Sequence, residues 1–219
     1  MNYLILSKRK WNNKNYLKLN KKVKYSSKLN SHTLKKHKPK IIFFLYWSKK
    51  IPKKVFNNFT CIQFHSSNLP KFRGGSPIPN QIYRGVKKTK ITAFRVNSKI
   101  DAGEICLKKD LSLNDNANKI YERIEKIAIM MINTIINKKK LIFIKQNGKI
   151  SYFKRRKPKD SNLKFTKEKN LKNIYDFIRM LDAKDYPKAF INLKKFRIFF
   201  KNAKLKKKEI KGEFEIIRK

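Results

Sequence analysis

Ile41-Ile42-Phe43-Phe44-Leu45-Tyr46 and Thr60-Cys61-Ile62-Gln63-Phe64-His65 are the two stretches that decide the fold class. The first is a continuous apolar run of strand length, rich in β-branched and aromatic residues, and the second reads as another buried strand, Thr60 to Phe64, ending at His65. Such runs mark strands buried on both faces, as in a parallel sheet. Between them Pro52 to Asn57 predicts a short helix, with proline early, where its missing N–H costs nothing. Strand, helix, strand in that order is the unit of an α/β domain.

Upstream, Tyr3-Leu4-Ile5-Leu6 reads as a first strand, and residues 8–38 as polar, Lys-rich chain of weak helical or loop character. Downstream, residues 66–79 read as a loop rich in Ser, Gly and Pro, followed by a helical turn or two over Asn80 to Arg84. Lys90 to Val96 reads as a strand, Lys99 to Gly103 as a turn, and a further strand begins at Ile105. Residues 116–137 carry the clearest helix, with Ile120, Ile124, Ile127, Ala128, Met131 and Ile135 at three- and four-residue spacing. The α/β domain therefore spans residues 1–140. A linker, 141–165, is marked by Lys154-Arg155-Arg156-Lys157-Pro158-Lys159-Asp160-Ser161. Residues 166–219 form a small module. It has a helix over 168–182, with Leu171, Ile174, Ile178 and Leu181 on one face, and three strand-like runs at 188–193, 196–201 and 209–217.

Fifty-eight Lys and Arg face 14 Asp and Glu in a chain of 219 residues, for a formal net charge of +44. Such a surface attracts polyanions. Only ten of the 58 are Arg, and Asn and Ile are also abundant, so AT-rich codon composition is the other reading of the same charge. Two cysteines without a CxxC pair, and three histidines without ligand spacing, predict neither a disulfide framework nor a metal site and point to a reducing cytoplasm. The run Ile41 to Trp47 is too short to span a bilayer, and the N-terminal MNYLILSKRKW lacks a signal peptide's apolar stretch.

Chemistry concentrates between Phe64 and Asp101. His65 ends a buried strand, where α/β sheets open a ligand crevice. The loop Asn68-Leu69-Pro70-Lys71-Phe72-Arg73-Gly74-Gly75-Ser76-Pro77 follows it. Asp101 sits in the turn Asp101-Ala102-Gly103. Taken alone, His65 reads equally as a hydrogen-bonded structural residue and Asp101-Ala102-Gly103 as an ordinary turn. Brought together, imidazole and carboxylate make a tunable acid–base pair.

His65, Leu69-Pro70, Arg73-Gly74, Ser76-Pro77 and Asp101-Ala102-Gly103 resemble the HxSLLPxYRGxxP and D-[AT]-G signatures of the folate-dependent formyltransferases. The likeness is strongest over residues 41–138 and continues more weakly through Phe190. It implies a Rossmann-like domain, abbreviated before Ile41, with a small, mostly β C-terminal module. It also implies 10-formyltetrahydrofolate as formyl donor and a primary amine as acceptor. The family's catalytic trio is Asn, His and Asp. His65 and Asp101 match, and Gln63 stands at the Asn position with the same amide one methylene further out. The likeness places the folate pocket at Lys49, Lys50 and Ile51, at Ser67, Asn68, Leu69 and Pro70, and at Asn97, Ser98, Lys99 and Ile100. An arginine that some sugar-formylating relatives carry is Gly75 here.

In the reaction so implied, the amine attacks the formyl carbon. His65 stabilises the oxyanion, Asp101 orients His65 and takes the amine proton, and Gln63 donates to the formyl oxygen. The Arg155-Arg156 linker points to a nucleotide-linked amino sugar as the acceptor, with methionyl-tRNA as the alternative. A non-catalytic relative that binds folate or nucleotide is the third reading. A homodimer and the absence of a membrane partner complete the expectations.

Overall fold

The computed structural model describes residues 2–8, 19–165, 170–184 and 186–219. The chain forms two compact units. One comprises residues 1–74, 90–111 and 124–152, the other 75–89, 112–123 and 153–219.

The first unit is built on a six-stranded sheet. Its strands are β1 (Tyr3–Ser7), β2 (Val23–Ser26), β3 (Ile41–Leu45), β4 (Thr60–His65), β6 (Lys88–Arg95) and β7 (Ile105–Ser112). Two short strands, β5 (Arg73–Gly74) and β8 (Tyr152–Phe153), form a separate pair. The order in the large sheet is β2-β1-β3-β4-β6-β7. The first four strands are parallel, and every residue of β1 and β3 is buried, as continuous apolar runs require. On one face Leu4, Leu6, Ile42, Phe44 and Cys61 pack with Trp47, Val55 and Val96. On the other, Phe43 lies between Tyr3 and Phe64, with ring centroids 6.4 and 6.2 Å away.

The stretch before Ile41 holds more regular structure than its composition announces. Besides β1 it contains β2 and a helix, α1 (Ser31–His37), capped by Asn30, whose Oδ1 accepts from the Thr33 amide at 2.8 Å. Residues 9–18, within the expected loop, lie outside the described residues. The helix α2 (Lys53–Asn58) follows Pro52. The helix α3 (Pro77–Tyr83) begins three residues before the expected turn. Pro77 and Pro79 read as breakers, yet both fall in the first helical turn, whose N–H groups have no intrahelical partner to lose. The long helix α4 (Ala117–Asn137) buries Ile120, Ile124, Ala128, Met131 and Ile135, and Ile127 is half-buried.

Within the second unit, α5 (Leu171–Leu181) is capped by Asn170 and buries Phe177, Ile178, Met180 and Leu181. Leu171, assigned to that face from its spacing, is instead 37% exposed in the first turn. The expected start of this helix at residue 168 lies outside the described residues. Three antiparallel strands follow, β9 (Ala189–Asn192), β10 (Phe196–Leu205) and β11 (Ile210–Arg218), in the order β11-β10-β9. The β10–β11 hairpin leaves Phe214 and Ile216 at 66% and 53% exposure on one face. Among the described residues no helix is long and apolar enough to cross a membrane.

Candidate active site

His65 is the last residue of β4 and is 6% exposed. Its Nε2 lies 2.8 Å from the Phe72 carbonyl oxygen. A carbonyl can only accept, so Nε2 carries the hydrogen and Nδ1 is the nitrogen left for proton exchange. Nδ1 faces the Asp101 carboxylate, 3.6 Å from Oδ2. The sequence pair is thus brought together, and it is buried, with Asp101 8% exposed.

Asp101 arrives at His65 by an indirect route. Strand β6 runs antiparallel to β4, with Thr92 opposite His65 and Arg95 opposite Ile62. The Val96 amide donates to the Cys61 carbonyl at 2.9 Å, so residues 97–100 leave the sheet far from His65. The chain then doubles back. Gly103 lies against β6 so closely that a β-carbon there would stand 1.6 Å from the Arg95 carbonyl oxygen. Asp101 adopts φ 48°, a left-handed conformation that costs a non-glycine residue roughly 1–3 kcal/mol. The Gly74 amide donates to Asp101 Oδ2 at 2.8 Å.

Gln146 supplies a further anchor that no motif announced. Its Nε2 donates to the carbonyls of Asp101 at 2.9 Å and Gly103 at 2.8 Å. Its Oε1 accepts from Arg73 Nη2 at 2.7 Å and Nε at 3.2 Å. Arg73 is 7% exposed. Gln146 lies 45 positions beyond Asp101, in irregular chain between α4 and β8, and only its amide chemistry could have drawn notice.

Gln63 shares a face of β4 with His65, as the two-residue repeat of a strand requires, and is half-buried. In the loop after His65, Ser67 is fully buried. Its Oγ donates to the Lys71 carbonyl at 2.8 Å, and its own carbonyl accepts from Thr92 Oγ1 at 2.7 Å. Leu69 and Pro70 are buried beside it. Lys108 of β7 donates to Asn68 Oδ1 at 2.7 Å and to the Leu69 carbonyl at 2.6 Å, and burial pushes its pKa down, with help from Lys90. Ile51 is buried in the core, while Lys49 and Lys50 are exposed. Asn97, Ser98, Lys99 and Ile100 are all exposed, and Asn97 Oδ1 accepts from the Lys99 amide at 3.0 Å.

In the second unit, Gly75 has no room for a side chain. A β-carbon there would fall 2.5 Å from that of Arg155, so the segment after β8 occupies the space an arginine would need. Arg156 is turned inward. Its guanidinium carbon lies 5.9 Å from the Tyr83 ring centroid and 5.6 Å from that of Phe177, and it donates to the Asp160 carbonyl. Burial lowers its pKa.

The sequence profile of the formyl transferase family matches residues 7–136. That of the methionyl-tRNA formyltransferase C-terminal domain matches residues 158–217. The chain is similar to a methionyl-tRNA formyltransferase of Thermodesulfovibrio yellowstonii, 30% identical over 172 residues, which are 75% of this chain and 54% of that protein. It thus spans about half the length of such curated relatives. A solved methionyl-tRNA formyltransferase from Clostridium thermocellum is 41% identical, with TM-score 0.90 and full coverage of both chains. A sugar N-formyltransferase from a Shewanella species, 18% identical with TM-score 0.65 over 89% of this chain and 93% of its own, shares the fold alone. These findings overturn the expectation of a nucleotide-linked amino sugar as acceptor. Of the two linker arginines on which that expectation leaned, Arg156 is committed to Tyr83, Phe177 and Asp160.

Proposed function

The chain belongs to the formyl transferase family, and from that premise we propose that it transfers a formyl group from 10-formyltetrahydrofolate to the amine of methionyl-tRNA. The observation that carries the choice of acceptor is the match of residues 158–217 to the C-terminal domain of methionyl-tRNA formyltransferases. The net charge of +44 supports it, since a polyanionic acceptor gains affinity from many dispersed cations through counterion release. Residues 1–140 serve as catalytic domain, 141–165 as linker and 166–219 as the acceptor-side module. The formyl transferase profile covers residues 7–136, and the C-terminal profile, which begins inside that linker, covers residues 158–217.

The amine nitrogen attacks the formyl carbon, and the bond from that carbon to the folate nitrogen breaks. The proton lost by the amine ends on the folate nitrogen. With Nε2–H held by Phe72, His65 works through Nδ1. Protonated, it donates to the developing oxyanion beside the balancing charge of Asp101; neutral, it takes the proton from the amine. The amide of Gln63 donates to the same oxygen from the same face of β4. The loop 67–70, the segment 49–51 and residues 97–100 serve the folate.

The test is formylation of methionyl-tRNA by the purified chain with 10-formyltetrahydrofolate. Uncharged tRNA, free methionine and the His65→Ala and Asp101→Asn variants are the controls. Product should form with wild type alone, and kcat/KM should fall by at least about tenfold between 50 and 200 mM salt. Product no greater than the His65→Ala background refutes the activity. Turnover indifferent to salt refutes the acceptor.

A further inference from the structure

We propose that Gln146 is a positioning residue for formyl transfer, holding the Asp101 carboxylate at His65. The inference rests on the proposed reaction only for the meaning of a rate. Its geometry stands on the site alone.

Asp101 is fixed at two points. Its carboxylate accepts the Gly74 amide, and its backbone carbonyl accepts Gln146 Nε2. Gln146 governs both. One hydrogen of its amide goes to Asp101 and the other to Gly103, which tethers the two ends of the Asp101-Ala102-Gly103 turn. Its oxygen receives two N–H groups of Arg73, the residue next to Gly74. The side chain thus spends two donors and two acceptor positions, its whole capacity. It ties the turn that carries the carboxylate to the strand that grips it. The left-handed backbone of Asp101 makes such a tether necessary, because an unassisted turn relaxes toward an ordinary conformation. Relaxation there moves Oδ2 relative to His65 Nδ1, and the 3.6 Å separation is the quantity that Gln146 sets.

Gln146→Glu and Gln146→Met separate this role from a merely structural one. The carboxylate of Gln146→Glu keeps the Arg73 partner and removes both donors to the turn, facing two carbonyls instead. Gln146→Met keeps the volume and removes every hydrogen bond. Both variants should lower kcat for methionyl-tRNA by about 10- to 100-fold. KM should change by less than about twofold, because a misplaced Asp101 affects the reacting atoms rather than the uniform binding of the acceptor. The His65 ring-nitrogen NMR signals, which report tautomer and hydrogen bonding, should shift in both. Tyr152→Phe removes the 3.4 Å contact of Tyr152 with Arg73 Nη1 and should leave kcat and spectrum unchanged. A folded Gln146→Glu with wild-type kcat and wild-type His65 signals overturns the proposal. So does a rate loss carried wholly by KM. If wild type forms no product, the proposed reaction fails, and the His65 signals of Gln146→Met still decide the positioning role.

Discussion

Gly103 stands where the chain doubles back onto β6, and its missing β-carbon lets Asp101 reach His65. Gly103→Ala should therefore act mainly on chemistry. The turn must lift from β6, Asp101 moves with it, and kcat should fall about 100-fold, a loss of the size a 1 Å misplacement produces. Steady-state kinetics beside a melting curve checks this; wild-type kcat in a folded variant contradicts it. Gln63→Met keeps the length of the side chain and removes the amide donor. It should lower kcat by about 100- to 1,000-fold at little change in melting temperature, as the loss of an oxyanion donor does. A smaller effect than tenfold would leave the oxyanion to His65. His65 and Asp101 were legible in the sequence because strand-end histidine, Gly-rich loop and Asp-Ala-Gly turn sit in one short stretch. Gln146 was not, because a single amide in irregular chain carries no local pattern. Its role exists only once the fold brings it to Arg73 and Asp101.

At the scale of elements, periodicity spoke clearly where burial is two-sided or strongly amphipathic. β3, β4 and α4 lie close to their expected places for that reason; β9, β10 and β11 do so too, although β11 is exposed along almost its whole length. Periodicity spoke poorly where short elements carry charges. Val23-Lys24-Tyr25-Ser26 buries only Val23, and one buried side chain makes no pattern, so β2 passed for loop. The antiparallel course of β6 was equally silent, since a buried strand has the same composition in either direction. α5 holds the buried pair Asp176 and Arg179, each 6% exposed, joined Nε to Oδ1 at 2.5 Å. Arg179 also donates to the carbonyls of Leu113 at 2.7 Å and Asp115 at 2.6 Å, which fastens the segment after β7 to the helix. Arg179→Ala leaves a buried carboxylate and two carbonyls without this partner, and should destabilise the fold by about 3 kcal/mol in chemical denaturation. Arg179→Met with Asp176→Leu should recover part of that loss. A single variant within 0.5 kcal/mol of wild type, about the spread of surface substitutions, would show the pair to be dispensable.

For the molecule as a whole, one buried thiol, Cys61, and one half-buried thiol, Cys106, tie stability to alkaline pH. Burial pushes Cys61 up to about 12 from 9.0, and Cys106 up to about 11, against smaller lowering by its own backbone hydrogen bond, Lys138 and Arg95. A thiol raised above its unfolded value stabilises the fold fully below that value, and the contribution is lost as pH rises through the folded one. Stability should accordingly decline from about pH 9 upward. Cys61→Val should show a shallower decline than wild type between pH 7.5 and 10.5, and equal slopes would remove Cys61 from the explanation. Alkylation of Cys61 should likewise require unfolding, because neutral buried thiols are poor nucleophiles.

The exposed Phe214 and Ile216 of the β10–β11 hairpin give the charge a second consequence, in colloidal behaviour. At low ionic strength, mutual repulsion between molecules of net charge +44 keeps these apolar faces apart. At about 1 M salt the screening length shrinks to about 3 Å, and that repulsion no longer reaches across the gap between neighbours. A high-salt wash, of the kind used to free any strongly basic protein of nucleic acid, is therefore the condition under which its hairpins should meet and it should precipitate. Phe214→Lys should widen the range of salt over which it stays dispersed.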